Sequence, residues 1–168
     1  MTEPQSTASR RLVVVRHAKA EPFASTDHAR ALTDRGEDDA RQLGRWLAEA
    51  DAVPELVLAS TAARARRTAE LLIGALPVAP DFRTLDVLYG ADPSDVAQVC
   101  AALDPGVGVV AVVGHNPTMM QLAAGLVAGE EPLGHFPTCA AAVIELPSGW
   151  AEIGAGGGAL VELWTPRG

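Results

Sequence analysis

The chain has 168 residues, and its hydrophobic content of 48% is typical of one globular domain and excludes global disorder. The formal net charge of −8 argues against a general nucleic-acid binder or a protein that binds anionic membranes. No apolar stretch approaches the roughly 18 residues of a membrane-spanning helix. The polar first residues contain no signal-peptide core, and we expect a cytoplasmic protein. Residues 1–10 are predicted to be a flexible tail and residues 11–168 one domain.

Strands and helices alternate along the first half of the chain. An apolar strand at 12–15 is followed by a loop, and then by an amphipathic helix that Thr33 can cap and that runs to about residue 50. A second strand is predicted at 56–59, and a helix rich in alanine, leucine and arginine extends from it to Leu76. Residues 82–88 are predicted to be a strand, or a strand leading into a loop.

The second half continues the alternation. A helical stripe starts near Ser94, the most strand-like segment lies at 109–113, and Pro117 occupies the first turn of another helix. Two late strands, at 141–146 and 160–164, are joined by a loop that contains Trp150 and several glycines. Alternating strands and helices are typical of βαβ units. We therefore predict an α/β fold, a three-layer αβα sandwich with a mostly parallel central sheet.

Polar residues follow three of the predicted strands. Arg16 and His17 end the first strand, Ser60 and then Arg64 follow the second, and His115 with Asn116 follows the strand at 109–113. The carboxyl ends of parallel strands lie at one edge of the sheet, where open α/β sheets bind their ligands. Histidine is a possible nucleophile and the guanidinium group a bidentate partner for phosphate. The sequence thus predicts a phosphate pocket with a histidine inside it.

Three motifs in this order make a family resemblance specific. RHAKA at 16–20, STAARARRTA at 60–69 and VGHNP at 113–117 resemble the histidine phosphatase superfamily, also called the phosphoglycerate mutase-like or RHG family. DHARALTDRGEDDA, DVLYGA and HFPTCAAAVIELP resemble its small SixA-like phosphohistidine phosphatases. The resemblance covers residues 12–166 and implies the phosphoglycerate mutase-like fold.

The resemblance also implies roles for four residues. His17 corresponds to the nucleophile that becomes phosphorylated, Arg16 and Arg64 to the phosphate-binding arginines, and His115 to the second pocket histidine. We expect neighbouring cations to lower the pKa of His17, so that the attacking ring is neutral. Ala18 stands where the family has glycine, a difference of one methyl group.

The general acid departs further from the family pattern. Many members have a glutamate three residues before the tyrosine that matches Tyr89, whereas this chain has Asp86, which is one methylene shorter. Asp86 is either the catalytic acid or a structural residue. Imidazole leaves phosphohistidine more readily than an alkoxide leaves an ester, so a phosphohistidine phosphatase depends less on a well-placed acid.

Other polar residues are candidates for the rim of the pocket. Lys19 and Arg30 either recognise substrate or are surface charges, and Asn116 is a helix cap, a phosphate contact or both. His28 and His135 have no partner visible in the sequence and are expected to be exposed loop residues.

The function predicted from these residues is hydrolysis of protein-borne phosphohistidine through a covalent phosphohistidine on His17, without a metal or a cofactor. The first alternative is a phosphomonoesterase or mutase that acts on small phosphorylated metabolites. The second is a catalytically silent module that binds phosphate. The expected partner is a phosphorylated protein or a small phosphate ester, and neither nucleic acid nor membrane is expected.

Overall fold

The computed structural model describes residues 10–127 and 133–167, and one six-stranded sheet lies at its centre. The strands are β1 (Arg10–Arg16), β2 (Leu56–Ser60), β3 (Asp81–Leu85), β4 (Val109–Gly114), β5 (Ala141–Leu146) and β6 (Ala159–Trp164). Their order across the sheet is β3-β2-β4-β1-β5-β6. The pairs among β3, β2, β4 and β1 are parallel, whereas β5 is antiparallel to both β1 and β6.

Helices cover both faces of the sheet. They are α1 (Asp34–Glu49), α2 (Ala63–Gly74), α3 (Pro93–Ala101) and α4 (Thr118–Leu126), with short 3-10 helices at Asp27–Ala29, Asp86–Leu88 and Trp150–Ala155. Helices α1 and α2 pack on one face, and α3, α4 and the last 3-10 helix pack on the other. The predicted three-layer arrangement with a mostly parallel sheet is confirmed.

Strand β1 is buried between the two helical layers. Its side chains alternate, so that Leu12 and Val14 join the core beneath α3 and α4, while Val13 and Val15 join the core beneath α1 and α2. An uninterrupted apolar run is what a strand covered on both faces requires. The end of this run is therefore the point at which the chain leaves the core, and Arg16 and His17 lie there.

The element boundaries differ from the prediction in small ways. Helix α2 ends at Gly74, and β3 ends at Leu85, after which a 3-10 turn occupies 86–88. Helix α4 starts one residue after Pro117, which is its N-cap rather than part of its first turn. The predicted loop around Trp150 contains a 3-10 helix, because the Trp150 indole is buried and donates to the carbonyl of Val107 at 2.7 Å.

Two further expectations concern the predicted flexible tail and the absence of a membrane-spanning helix. Residues 1–9 of the predicted tail lie outside the described residues, and Arg10 already belongs to β1. Within 10–127 and 133–167, none of the helices combines the length and the apolar character that crossing a bilayer demands.

Candidate active site

The candidate site lies at the carboxyl ends of β1, β2 and β4. In the sheet register Arg16 is opposite Gly114, so the residues that follow them, His17 and His115, leave neighbouring strands side by side. Their ring centroids are 5.2 Å apart. Ser60 ends β2, the neighbour of β4, and its hydroxyl oxygen is 2.8 Å from Nε2 of His115. The convergence predicted from the sequence is thus present, and the sheet topology produces it.

His17 is held in one orientation by its backbone and its ring. Its amide donates to the Gly114 carbonyl at 2.9 Å, and its carbonyl accepts from the amide of Cys139 at 3.0 Å. Nδ1 lies 2.7 Å from the carbonyl oxygen of Ala18. A carbonyl oxygen can only accept a hydrogen bond, so Nδ1 carries the proton, and in the neutral ring Nε2 keeps its lone pair.

The pKa of His17 is lowered to about 3, with burial as the largest cause. The positive charges of Arg64 and Arg16 lower it further. The direction expected from the sequence is confirmed, although removal from water contributes more than the neighbouring cations do. Only 8% of His17 is exposed, and its ring is neutral throughout the physiological pH range.

Neither arginine uses all of its donors within the described part of the chain. Arg64 donates to the Asp27 carbonyl at 2.8 Å and to its carboxylate at 3.1 Å, while Arg16 donates to the carbonyl of Phe136 at 3.3 Å. The Nε atoms of both side chains are buried and have no hydrogen-bond partner among the residues that the structure describes. Buried donors are nearly always paired in native proteins. Two unpaired guanidinium N–H groups beside a neutral histidine are suited to an oxyanion.

His115 forms the opposite wall of the pocket. Its carbonyl accepts from the first turn of α4, at Met119, which fixes the backbone. Burial, and then the charge of Arg64, lower the pKa of His115 to about 4. Nδ1 is buried without a partner in the described part of the chain, while Nε2 faces Ser60. The ring is therefore a second neutral imidazole in the pocket, and one of its nitrogens has no hydrogen-bond partner among the described residues.

Asp27 is a pocket residue that the sequence reasoning missed. It lies in the first 3-10 helix, and besides holding Arg64 its carboxylate accepts from the Tyr89 hydroxyl at 2.6 Å and from Arg30 at 3.0 Å. The hydrogen bond from Tyr89, followed by those from Arg30 and Arg64, holds the pKa of Asp27 well below its usual range. This carboxylate is ionised at neutral pH, and its ion pair helps to hold Arg64 in place.

Comparison with known proteins identifies the family. Residues 12–89 match the family model of the histidine phosphatase superfamily, branch 1. The phosphohistidine phosphatase SixA of Escherichia coli K12 is 34% identical to this chain over 137 residues, which are 79% of this chain and 83% of SixA. The chain belongs to the histidine phosphatase superfamily. An uncharacterised protein of Mycobacterium tuberculosis is 35% identical over 91% of this chain and 100% of its own length.

Solved structures agree with this membership. The protein histidine phosphatase SixA complexed with tungstate superposes with a TM-score of 0.79 and 30% identity, covering 92% of this chain and 96% of SixA. A structure from Nakamurella multipartitia with the provisional name phosphohistidine phosphatase SixA gives a TM-score of 0.83 and 30% identity, covering 95% of this chain and 98% of its own. The predicted family, its fold and the SixA resemblance are confirmed.

Asp86, the candidate acid of this histidine phosphatase, is exposed at the start of the second 3-10 helix. Its carbonyl accepts from the amide of Tyr89 at 3.0 Å. In the described segments its carboxylate makes neither a hydrogen bond nor an ion pair with the pocket residues. A catalytic role for Asp86 stays a prediction.

The three candidate binding residues take different positions around the pocket. Arg30 is tied to Asp27 and, through Nε, to the carbonyl of Glu21 at 2.7 Å. The Asn116 side chain donates to the Phe136 carbonyl at 2.9 Å and accepts from the amide of Met120 at 3.2 Å. The second of these bonds supports the helix-cap alternative for Asn116.

Lys19 is exposed and lines a cleft of about 510 Å³. For Lys19, Arg30 and Asn116 alike, contact with substrate stays a prediction.

The rim also contains two aromatic rings, those of His28 and Tyr89, for which the sequence predicts no role in the pocket. His28 and His135 are exposed, as expected. However, His28 lies edge-on to Tyr89 with centroids 4.9 Å apart, and it hydrogen-bonds the Thr61 hydroxyl at 3.0 Å. Tyr89 in turn contacts His115 at 5.6 Å between centroids. A continuous row of rings therefore leads from the surface at His28 to His17.

Proposed function

We propose that this protein hydrolyses phosphohistidine carried by another protein, through a covalent phosphohistidine on His17. The observation that carries the proposal is the state of the His17 ring, which is neutral and has Nδ1 fixed on the Ala18 carbonyl at 2.7 Å. Nε2 thus holds an available lone pair next to two arginines with unpaired Nε–H groups. This combination of nucleophile and anion donors is what phosphoryl transfer needs.

The reaction proceeds in two displacements at phosphorus. Nε2 of His17 attacks the phosphorus, the P–N bond of the substrate breaks, and the departing imidazole nitrogen takes up a proton from solvent. Water then attacks the phosphoenzyme, the bond between phosphorus and Nε2 breaks, inorganic phosphate leaves, and the proton lost by water passes to solvent. Arg16 and Arg64 stabilise the charge on the phosphoryl oxygens in both steps, and His115 donates to them from a protonated Nδ1, an atom that has no partner among the described residues.

The carboxylates around the pocket favour an imidazole leaving group. Asp27 is ionised, and its two oxygens together accept three hydrogen bonds, so it is a poor proton donor. Asp86 is exposed and makes no bond to the pocket in the described residues. An alkoxide leaving group needs a positioned acid, whereas protonated imidazole departs from phosphohistidine with less assistance.

The segment between Arg64 and His115 favours a protein over a small metabolite. After the rest of α2 it contains only β3, one 3-10 turn, α3 and β4, and the depression beside His115 has a volume of about 320 Å³. A phosphohistidine on the surface of a protein can enter such an opening. SixA of Escherichia coli is named a phosphohistidine phosphatase, and the tungstate bound to a SixA structure is a tetrahedral oxyanion like phosphate.

A cytoplasmic location is consistent with this substrate. Cys100 and Cys139 are both buried and form no disulfide, as is usual for thiols of a reducing compartment. Burial raises the pKa of Cys100 to about 12, so this thiol is unreactive.

Rapid-quench trapping tests the mechanism. We expect wild-type protein mixed with ³²P-labelled phosphohistidine protein to show an acid-labile, base-stable phosphoenzyme, and His17→Ala to lose it together with about 10³-fold or more of the activity. His135→Ala, which removes an exposed histidine, is the matched control and should retain both. Full activity in His17→Ala would overturn the assignment.

A substrate panel tests the choice of substrate. It consists of phosphorylated histidine-containing proteins, phosphoglycerates and sugar phosphates at equal concentration. We expect the highest kcat/KM for a phosphohistidine protein. Turnover confined to the metabolites would establish the phosphomonoesterase or mutase alternative, and phosphate binding without any turnover would establish the silent module.

A further inference from the structure

The aromatic residue Phe23 is exposed to solvent over 86% of its surface. The loop that carries it is braced at its base, because the Glu21 amide donates to the Ala31 carbonyl at 2.8 Å and Ala20 bridges to Leu32. Arg30 adds a bond to the Glu21 carbonyl. Phe23 is therefore presented to solvent from a loop whose two ends are joined.

This exposed ring lies next to the catalytic pocket. Phe23 lines a depression of about 280 Å³ together with Asp27 and Arg30, and Asp27 is the residue that holds Arg64. Tyr89, which donates to the Asp27 carboxylate, is 39% exposed, and Val87, two residues before it in the chain, is 49% exposed. We call Phe23, Val87 and Tyr89 the docking rim. Two loops distant in sequence supply it, and the bond between Asp27 and Tyr89 joins them.

We propose that the docking rim is the contact surface for the folded protein that carries the phosphohistidine, with Phe23 as its apolar anchor; this inference rests on the proposed function. A phosphohistidine that reaches Nε2 of His17 brings the surface of its own protein against whatever surrounds the pocket. Exposed aromatic groups at such a position are typical anchors of protein interfaces.

The charges around the rim suit a protein partner. Next to it, Asp27 forms ion pairs of 3.0 Å with Arg30 and 3.1 Å with Arg64. The three side chains of the docking rim are themselves uncharged, although the chain has a net charge of −8. A free phosphate or phosphoramidate is bound by the pocket and does not extend to Phe23, so only the protein substrate depends on the rim.

The matched variants are Phe23→Ser and Val78→Ser. Val78 is also an exposed apolar residue, at 70%, but it precedes β3 and lies at the amino-terminal edge of the sheet, opposite the pocket. Each variant is assayed on phosphoramidate and on the phosphohistidine protein that wild type hydrolyses best. We expect Phe23→Ser to raise KM for the protein about tenfold, with kcat and the rate on phosphoramidate unchanged. Val87→Ser should raise KM by a smaller factor, and Val78→Ser should match wild type.

Two results would overturn the inference in distinguishable ways. If wild type hydrolyses a phosphohistidine protein and Phe23→Ser does so with the same KM, the docking rim is wrong while the proposed function stands. If wild type hydrolyses phosphoramidate but no phosphohistidine protein, the proposed function fails and the docking rim fails with it. An equal loss on phosphoramidate and protein in Phe23→Ser would assign Phe23 to the pocket and would also contradict the inference.

Discussion

Arg64 is oriented chiefly by Asp27, which accepts from it through both its carbonyl and its carboxylate. Both terminal guanidinium nitrogens donate to Asp27, while Nε is buried without a partner among the described residues. Arginine has many rotamers, and fixing one of them before substrate arrives removes an entropic cost from the transition state. Asp27 is a positioning residue in this arrangement, since it acts through Arg64 and is already ionised.

Replacing Asp27 with Asn tests this positioning role. The amide keeps the size of the side chain but has one acceptor oxygen in place of two, and its NH₂ group faces groups that are themselves donors. Arg64 keeps its bond to the backbone carbonyl of residue 27 but is held less firmly. We expect kcat on phosphoramidate to fall about tenfold, equivalent to about 1.4 kcal/mol of transition-state stabilisation, with little change in melting temperature.

The control for this change is Asp38→Asn, which breaks an exposed Asp–Arg pair with Arg41 on α1, away from the pocket. It should leave kcat unchanged. Tyr89→Phe, which removes one donor from Asp27 but leaves Arg64 in place, should give an intermediate kcat. Wild-type kcat in Asp27→Asn would show that Arg64 is positioned without this carboxylate.

The start of helix α1 rests directly on the segment that follows His17. Thr33 caps α1 by accepting from the Gly36 amide at 3.0 Å, while its own amide donates to the Lys19 carbonyl at 2.9 Å. A Cβ atom at Gly36 would lie 2.1 Å from that same carbonyl oxygen. Cβ atoms in real structures do not approach a carbonyl oxygen so closely. Only the hydrogen atom of a glycine fits between α1 and the segment after His17 at this position.

Gly36→Ala is predicted to separate these two elements. We expect the free energy of unfolding to fall by about 1–3 kcal/mol and the activity on phosphoramidate to fall as well, because Lys19 lies two residues after His17. The matched control is Gly74→Ala at the end of α2, where a Cβ would meet nothing within 4 Å. In a helix alanine is favoured over glycine by up to about 1 kcal/mol, so this variant should be at least as stable as wild type. Equal stability of the two variants in urea denaturation would contradict the close approach.

The elements that the sequence predicts well are those with strong local patterns. Uninterrupted apolar runs located β1, β2 and β4, and the Thr33 cap with its 3.6-residue periodicity located α1 almost to the residue. The sequence predicts a loop where the 3-10 helix at Trp150–Ala155 lies, because this helix is held by a bond to Val107, 43 residues away. The residues that surround Trp150 in the sequence do not indicate such a distant partner.

The same reasoning separates the predictable and unpredictable parts of the pocket. Arg16, His17, Arg64 and His115 follow strand ends or match motifs, so topology and resemblance suffice to bring them together. Asp27 lies in a loop of mixed charge, and its partners Arg64 and Tyr89 are 37 and 62 residues distant. One sequence does not distinguish this aspartate from the other acidic residues of the loop and of α1.

The pocket lies at the edge of the core, so the protonation of its buried histidines affects both the activity and the stability of the protein. His17 and His115 are neutral in the folded protein because burial lowers the pKa of the first to about 3 and of the second to about 4. In the unfolded chain both have the ordinary histidine pKa of about 6.5. Between these values the unfolded state binds more protons than the folded state, so acid favours unfolding. The stabilisation is complete above pH 6.5 and is lost as the pH falls toward the folded values.

Urea denaturation between pH 7.5 and 4.5 measures this coupling. We expect the free energy of unfolding of wild type to decrease below about pH 6.5, and His17→Asn to remove a slope of up to about 1.4 kcal/mol per pH unit from that decrease, since one titrating group is gone. His135→Asn removes an exposed histidine and should retain the wild-type slope. If His17→Asn and wild type lose stability in parallel as the pH falls, the pKa of His17 is the same in the folded protein as in the unfolded chain. The proposal that His17 is a neutral nucleophile because of its burial would then be wrong.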